Sequence, residues 1–344
     1  MLCGMNPFIR SRSSLESLET LEGYRVLFCN PNFWHPYVQT VCRKHFRVGD
    51  CQVKAVLPGT YPTFVADDQW VVKFFGRLFD GKASFERELE ISKLLKHAPE
   101  IPAPELVAHG SLLERGVDWP WPYLIYKYVD GVSLGEVMDQ LALAERMSLA
   151  AQLGRIVHQF HSLPIGGSQI FTPSWQGYAE FLSLQAASCR SNHQAWGSLP
   201  VHLIDQIEDY LLPTEKLIDL NRQPHLIHAD LTRDHLLGRL VGDEWQKLAL
   251  IDFGDARVGD LLYELVALHL DLFAGDPRLL RVFLDAYGSD LVYDNEFPQK
   301  ALSTALLHEF DVIGGLAQWY PGWQDIRTLP ELGVLVWKIG AAGY

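Results

Sequence analysis

Two neighbouring motifs in the second half of the chain decide the fold. Residues 225–238 read HLIHADLTRDHLLG, and residues 248–255 read LALIDFGD. In the first motif an apolar run leads to His228 and Asp230, with His235 five residues after Asp230, and in the second an apolar run ends at Asp252. Short apolar runs bounded by turn-forming or polar residues are typical of buried strands. The two motifs therefore predict two strands, each followed by a carboxylate.

This order of residues is typical of kinase-fold phosphotransferases, in which a catalytic-loop Asp and a metal-binding Asp follow neighbouring strands. Asp230 would accept a hydrogen bond from the substrate hydroxyl and take its proton during phosphoryl transfer. Asp252 would bind Mg²⁺, a hard cation that prefers carboxylate and phosphate oxygens, and His235 occupies the position of a second metal ligand. Isolated Asp residues more often begin turns or cap loops, but the two motifs in this order favour the catalytic interpretation.

A lysine and a glutamate upstream match the nucleotide-binding pair of kinases. Lys73 lies inside the apolar run QWVVKFF, and Glu88 lies in the helical segment that follows. A kinase places a Lys on such a strand to contact the α- and β-phosphates, and a carboxylate from the next helix holds it. Glu86 and Glu90 are the alternative partners. A solvent-facing Lys beside an ordinary helix surface would carry no such role, but the downstream motifs favour the functional pairing.

Two further segments are candidates for nucleotide contacts. The phosphate-binding loop should precede the strand of Lys73, and the chain offers LPGTYPT at 57–63, where Gly59 amides and the Thr60 hydroxyl could contact phosphate oxygens. The connector IYKYV at 125–129, with Tyr126 and Tyr128, should present backbone groups to adenine. A plain hairpin turn and ordinary packing of the aromatic residues remain the alternatives.

The distribution of periodic patterns predicts an α+β, bilobal, protein-kinase-like fold. Four β-rich runs and one key helix, in the segment ASFERELEISKLLKHAPE, make up a small N-terminal nucleotide-binding lobe, residues 1–127. A hinge at about 125–131 leads to a larger, mainly helical lobe for catalysis and substrate binding, residues 128–344. Ligands often bind in the cleft between such lobes.

Two features favour a small-molecule kinase over a protein kinase. A protein kinase has Arg before its catalytic Asp, where this chain has Ala229, and it has a long activation segment after the metal-binding Asp. Here only residues 253–259 separate Asp252 from Asp260, and helix-like sequence follows at once. The chain therefore lacks room for a peptide-binding platform.

Composition excludes several other classes of protein. The 344 residues are 48% hydrophobic and carry a net charge of −13, which excludes a disordered chain and argues against nucleic-acid binding. Five scattered cysteines without C-x-x-C spacing predict reduced thiols. Without a signal-peptide core or membrane span, we expect a cytoplasmic, soluble monomer that binds a cationic small molecule and neither membranes nor nucleic acid.

The quoted motifs resemble those of the aminoglycoside phosphotransferase family, and most closely the hygromycin B 7″-O-kinase type. The likeness extends from about residue 32 to residue 311, through VVKFFG, WPWPYL, HADL, IDF and GDLLYELVALHLDLFAGD. It implies ATP or GTP and Mg²⁺ as cofactors, and phosphorylation of a hydroxyl on an amino-sugar antibiotic, which would confer resistance. It assigns the catalytic role to Asp230, metal ligation to Asp252 and phosphate binding to Lys73 with Glu88. Asp260 resembles the family's Asp that supports the catalytic loop.

The chain departs from the family pattern at two positions. The family usually has Gly where this chain has Ala229, and we expect little effect because Ala is the mildest replacement. It usually has Asn as the second metal ligand, where this chain has His235. A neutral imidazole can also ligate a metal, and macrolide kinases resemble this His pattern. The second departure therefore bears more on the identity of the antibiotic than on catalysis.

Candidate acceptor-binding residues lie near the C-terminus. Glu309 and Asp311, two residues apart near a helix, could bind the ammonium groups of an aminoglycoside, and the negative net charge would attract such a cation. A solvated acidic helix face is the alternative. A kinase of a macrolide, sugar or amino alcohol, and a catalytically dead nucleotide-binding regulator, are the competing functions.

Overall fold

The structure is a computed structural model that describes residues 15–56, 59–113, 117–242, 244–288 and 295–337. The chain forms two compact units. Unit 1 comprises Met1–His97, Ala103–Asp130 and Asp252–Gly254, and unit 2 comprises Ala98–Pro102, Gly131–Ile251 and Asp255–Tyr344. The short segment that contains Asp252 therefore belongs to the unit that also contains Lys73 and Glu88.

Unit 1 is built on one antiparallel sheet of five strands. They are β1 (Val53–Ala55), β2 (Thr63–Ala66), β3 (Trp70–Phe74), β4 (Leu106–Ser111) and β5 (Pro122–Lys127), in the spatial order β1-β2-β3-β5-β4. The four strands that the sequence patterns predict are confirmed, and β4 is an addition at the sheet edge. Strand β3 lies in the centre, where Lys73 pairs with Thr63 of β2 and Leu124 of β5.

In the described part of unit 1, three helices longer than one turn accompany this sheet. They are α1 (Leu21–Leu27), α2 (Pro31–Phe46) and α3 (Gly81–Leu95). Of these helices, the sequence pattern predicts only α3. Helix α2 begins with a cap that the sequence does contain, because the Asn30 side chain accepts hydrogen bonds from the amides of Asn32 and Phe33 and Pro31 follows at the first helical position.

The two faces of the sheet bury different helices. Val72 and Phe74 belong to the buried cluster that contains Trp34 of α2, and the ring centroids of Trp34 and Phe74 lie 4.7 Å apart. Side chains alternate along a strand, so Lys73 and Phe75 lie on the opposite face, where Phe75 packs with residues of α3. This alternation places the Lys73 side chain on the face of the sheet that α3 covers.

Unit 2 is mainly helical. Its helices are α4 (Leu134–Val137), α5 (Leu143–His161), α6 (Trp175–Trp196), α7 (Val201–Ile204), α8 (Ile207–Tyr210), α9 (Thr214–Leu217), α10 (Leu261–Ala267), α11 (Pro277–Tyr287), α12 (Phe297–Leu306), α13 (Leu316–Trp319) and α14 (Leu329–Trp337). Helices α5 and α11 approach so closely at Gly154 that a Cβ there would lie 2.3 Å from the Phe283 carbonyl oxygen.

Five short strands complete unit 2. Strand β7 (His225–Ile227) pairs with β10 (Arg257–Gly259), and β6 (Val132–Ser133), β8 (Leu236–Val241) and β9 (Glu244–Leu250) form a three-stranded antiparallel sheet. Asp230 therefore lies between β7 and β8, and Asp252 follows β9, as predicted. Helix α10 begins at Leu261, directly after Asp260, as the sequence predicts, and β10 just before Asp260 is an addition to the predicted strands.

These elements confirm the predicted α+β class, with a β-rich N-terminal part and a mainly helical C-terminal part. In the part of the chain that the structure describes, none of the helices has the length and apolar character needed to cross a membrane.

Candidate active site

The first cluster of candidate residues surrounds Lys73 in unit 1. The Lys73 Nζ forms ion pairs with Glu88 Oε1 and with Asp252 Oδ1, the second at 2.8 Å. Lys73 is 7% exposed and Glu88 is 2% exposed, whereas the Asp252 side chain keeps 31% of its surface exposed. The structure therefore brings together three residues that the sequence analysis assigned to nucleotide and metal binding, and it selects Glu88 over Glu86 and Glu90 as the partner of Lys73.

Burial and charge act in opposite directions in this cluster. Burial lowers the pKa of Lys73, but the carboxylates of Asp252 and Glu88 raise it by more, so its pKa lies above the usual value and the side chain stays charged. Burial raises the pKa of Glu88 to about 7, and Lys73 offsets part of that increase. A buried, charged lysine with two carboxylate partners is suited to hold the phosphates of a nucleotide.

The Tyr126 side chain contacts the glutamate of this cluster. Its hydroxyl donates to Glu88 Oε2 at 3.2 Å, so the side chain fixes the glutamate that pairs with Lys73. The Tyr128 amide donates to the Gln69 carbonyl oxygen at 2.8 Å. Whether the backbone of this connector binds adenine stays a prediction.

The predicted phosphate-binding loop is only partly described. Residues 57 and 58 lie outside the described residues, and Gly59 and Thr60 are exposed. A Cβ added at Gly59 would meet no atom within 4 Å, so packing does not require glycine there. The Tyr24 hydroxyl donates to the Thr60 carbonyl oxygen at 2.5 Å, which anchors the end of the loop to α1. Phosphate binding by Gly59 and Thr60 stays a prediction.

Replacement of Lys73 should mainly weaken nucleotide binding. We expect Lys73→Met, which keeps most of the side-chain volume, to raise the nucleotide KM by about 10- to 100-fold, because a charge-assisted hydrogen bond contributes about 1.5–3 kcal/mol. Glu88→Ala should give a smaller increase. Steady-state kinetics with varied nucleotide would measure both, with Lys82→Met as the control, since Lys82 is 72% exposed on the same helix as Glu88. An unchanged nucleotide KM in both variants would contradict the pairing.

The second cluster surrounds Asp230 in unit 2. The Asp230 side chain is 19% exposed, and its backbone oxygen accepts from His235 Nδ1 at 2.5 Å. The same nitrogen lies 3.2 Å from the Thr232 hydroxyl and 3.7 Å from Asp230 Oδ2. Nδ1 of His235 is therefore engaged within the loop, so any metal bond from His235 must come from Nε2.

A buried glutamate that the sequence analysis did not single out supports this loop. Glu264 on α10 is 1% exposed, and its Oε2 accepts from the His228 amide at 2.6 Å and from the Ala229 amide at 3.4 Å. His161 Nε2 lies 3.4 Å from the same oxygen. Burial raises the pKa of Glu264, but His161, His228 and these hydrogen bonds lower it by more, so the carboxylate is ionised.

Asp260, to which the resemblance assigns support of the catalytic loop, lies at the start of the helix that carries Glu264. The Asp260 carboxylate accepts from the Leu262 amide at 2.7 Å and caps the N-terminus of α10. Asp260 therefore orders the helix, and Glu264 makes the direct contact with the loop. The sequence signal was present: Glu264 is the only charged residue in the run LLYELVAL, and a charge in an apolar helix needs a buried partner.

His308 supports the loop from the other side. The Phe310 amide donates to His308 Nδ1, at 3.2 Å, so Nε2 carries the proton that is donated to the Ala229 carbonyl oxygen at 3.3 Å. Burial lowers the pKa of His308 to about 4, which keeps the ring neutral. Glu264 and His308 together hold the amide and carbonyl groups of Ala229.

The held conformation of Ala229 is left-handed, with φ of 69°. A side chain in this region costs about 1–2 kcal/mol, which Gly avoids at an entropic cost of about 0.5–1 kcal/mol. We therefore expect Ala229→Gly to stabilise the chain by up to about 1 kcal/mol without loss of turnover. Urea unfolding would measure this, with Ala150→Gly in α5 as a control that should destabilise it. Destabilisation by Ala229→Gly would contradict this prediction, because it would mean that the positive φ of Ala229 costs less than the added flexibility of Gly.

The predicted acceptor residues both have partners within unit 2. Glu309 Oε1 forms an ion pair with Arg257, and Asp311 Oδ1 accepts from the Ser198 hydroxyl at 2.7 Å and from the Gly314 amide at 3.1 Å. Both residues follow α12 in an irregular segment and not on a helix face. Asp311 caps a turn, and ammonium binding by either carboxylate stays a prediction.

The donor set is compatible with Mg²⁺. Among the described residues no three His, Cys, Asp or Glu side chains are grouped as metal ligands. Mg²⁺ usually keeps several waters and binds one or two carboxylates together with substrate phosphates, so a complete protein cage is not required. The partly exposed Asp252 beside Lys73 fits that pattern.

A buried Lys held by two carboxylates and an Asp on a loop fixed by buried side chains define a phosphotransferase of the kinase fold. The chain belongs to the phosphotransferase enzyme family, whose model matches residues 59–297. That stretch contains Lys73, Glu88, Asp230, Asp252 and Glu264, whereas His308 lies beyond its end.

Solved aminoglycoside phosphotransferases share the fold. A GDP complex of aminoglycoside 2′-phosphotransferase-IIIa is 21% identical, covers 87% of this chain and 98% of its own, and has a TM-score of 0.61. Spectinomycin phosphotransferase in complex with ADP and spectinomycin is 14% identical, covers 87% of this chain and 97% of its own, and has a TM-score of 0.52. The protein-kinase-like fold predicted from the sequence is thereby confirmed.

One curated relative is named as a demethylase and not as a phosphotransferase. Lysine-specific demethylase JMJ21 of Arabidopsis thaliana is 24% identical over 280 residues, which are 66% of this chain and 29% of that protein. The chain thus spans less than a third of the length of this relative.

Proposed function

We propose that this chain is a nucleotide- and Mg²⁺-dependent O-phosphotransferase that phosphorylates a hydroxyl of an aminoglycoside antibiotic, with hygromycin B as the first acceptor to test. The observation that supports this most is the position of Lys73 between Glu88 and Asp252, because kinases need both the Lys–Glu pair and the metal-binding Asp in place. The similar structures include complexes with GDP, ADP, kanamycin and spectinomycin.

In this proposal, different residues bind the nucleotide, bind the metal and accept the proton. Lys73 holds the α- and β-phosphates of ATP or GTP, and Asp252 binds Mg²⁺ with His235 as a second ligand through Nε2. The metal would neutralise charge that develops on the phosphates. Asp230 accepts the proton of the acceptor hydroxyl, and Glu264 and His308 keep its loop in place.

The test is a phosphoryl-transfer assay with the purified protein. Labelled ATP and GTP would each be combined with Mg²⁺ and a panel of hygromycin B, kanamycin, spectinomycin, a macrolide and an amino alcohol. We expect label on an aminoglycoside. Label on only the macrolide or the amino alcohol would reject the proposed acceptor class, and nucleotide binding without any transfer would support a catalytically dead regulator.

His235 offers a separate test of the metal site. We expect His235→Ala to need a higher Mg²⁺ concentration for half-maximal turnover, because a ligand is lost, and His235→Asn to stay active, because the amide oxygen can replace it. Turnover measured against Mg²⁺ concentration at fixed pH would compare the three proteins. Identical Mg²⁺ dependence in wild type and His235→Ala would mean that the ring only orders the Asp230 loop.

A further inference from the structure

An ion pair between Arg257 and Glu309 lies in unit 2 among aromatic rings. The Arg257 guanidinium carbon lies 4.0 Å from the centroid of the Phe181 ring and 5.6 Å from that of Tyr263. The side chains of Arg257 and Glu309 are 15% and 24% exposed. The aromatic contacts hold the guanidinium in one orientation, and part of each side chain still reaches solvent.

Both members of this pair are tied to the loop that carries Asp230. Arg257 on β10 is in register with Ile227 of β7, three residues before Asp230. His308, which precedes Glu309, donates to the carbonyl oxygen of Ala229. The pair therefore lies at the same end of unit 2 as the proposed catalytic carboxylate, where the acceptor hydroxyl has to arrive.

The charges of this pair oppose a polycationic acceptor. The sequence suggested that Glu309 would bind ammonium groups, but its carboxylate is already neutralised by Arg257. An ammonium group brought to this position would meet a fixed positive charge, and like charges at close range are unfavourable. A hydroxyl group, in contrast, can accept a hydrogen bond from the guanidinium.

We propose that the Arg257–Glu309 pair is a specificity determinant that disfavours polycationic acceptors and favours hydroxyl-rich acceptors with few positive charges. This inference rests on the proposed function, since it concerns the acceptor of that reaction. The net charge of −13 attracts cations at long range, whereas Arg257 acts at contact distance. The two effects can therefore be separated by comparing a variant that lacks the charge of Arg257 with one that lacks a positive charge elsewhere on unit 2.

The experiment compares two ligands and a matched pair of charge deletions. Arg257→Met removes the charge at the pair, and Arg190→Met removes one charge on α6, where Arg190 pairs with Asp205 at 2.6 Å and both side chains are well exposed. Calorimetry would give Kd for neomycin, a polyamine antibiotic, and for hygromycin B, which has fewer amino groups. Calorimetric binding does not require turnover.

We expect Arg257→Met to bind neomycin about tenfold more tightly than wild type, on the scale of one close charge contact near the protein surface, with hygromycin B changed by less than about threefold. Arg257→Lys should keep the wild-type preference because it keeps the charge. Arg257→Gln keeps a donor for Glu309 and should behave like Arg257→Met, so it serves if the methionine variant does not fold.

Three results would overturn the inference. The first is a gain in neomycin affinity for Arg190→Met as large as that for Arg257→Met. The second is a ratio of the two Kd values in Arg257→Met and Arg257→Gln that equals the wild-type ratio. The third is no neomycin binding to any variant. Failure of the proposed function looks different, because the protein would then bind these antibiotics with the expected preferences and phosphorylate none of them.

Discussion

Asp230→Ala is expected to reduce turnover by between about 10² and 10⁴, the usual contribution of a general base. The reason is that Asp230 would position the acceptor hydroxyl and take its proton, and its side chain is 19% exposed. The nucleotide contacts are assigned to Lys73 and Asp252 in the other unit. Nucleotide affinity should therefore change by less than about threefold while transfer is lost.

Two measurements are needed for this variant. Single-turnover transfer to the acceptor reports the chemical step, and fluorescence or calorimetric titration with nucleotide reports binding. Asp219→Asn, on the exposed loop before β7, is the control, since Asp219 pairs with Arg222 and with the Asn221 amide within the same loop. Retention of more than about a tenth of wild-type turnover by Asp230→Ala would exclude Asp230 as the catalytic residue.

The second large effect is expected at Glu264. Glu264→Ala should destabilise unit 2 by about 3–5 kcal/mol, because it deprives the buried amides of His228 and Ala229 of their acceptor and leaves a cavity. Glu180→Ala, at an exposed position of α6, should change the free energy of unfolding by less than about 0.5 kcal/mol. Urea unfolding of both variants would measure the difference.

Glu264→Gln separates positioning from stability. Its amide oxygen can still accept from the two loop amides, but its NH₂ group must lie where Oε1 now has no hydrogen-bond partner among the described residues. We expect this variant to fold and to show a lower kcat with unchanged nucleotide KM, since only the Asp230 loop is perturbed. A wild-type kcat in a folded Glu264→Gln protein would mean that Glu264 has a purely structural role.

The pH dependence of stability should follow the ionisation of Glu264. Its pKa is lower in the folded chain than in an unfolded one, because His161, His228 and the loop amides favour the charged form. The stabilisation is thus fully present above the usual Glu pKa and is lost as pH falls through the lower, folded value. Acid unfolding that is unchanged in Glu264→Gln would contradict this assignment.

The sequence by itself determined the class of fold and the order of the site. The runs TFVA and QWVVKFF, which are rich in β-branched and aromatic residues, predicted β2 and β3. The apolar runs before Asp230 and Asp252 predicted two strand ends correctly. Such patterns are local, because they depend on residues close together in the chain. They can therefore be interpreted without knowledge of the fold.

Only the tertiary structure decided which side chains meet. The sequence favoured Glu88 over Glu86 and Glu90, and the packing of α3 on the sheet brings Glu88 to Lys73. Glu264 and His308 reach the Asp230 loop from α10 and from the segment after α12, and Arg257 neutralises Glu309 across the same unit. These contacts join residues distant in sequence, and their free energies depend on burial and on exact partners, which no local pattern of residue types contains.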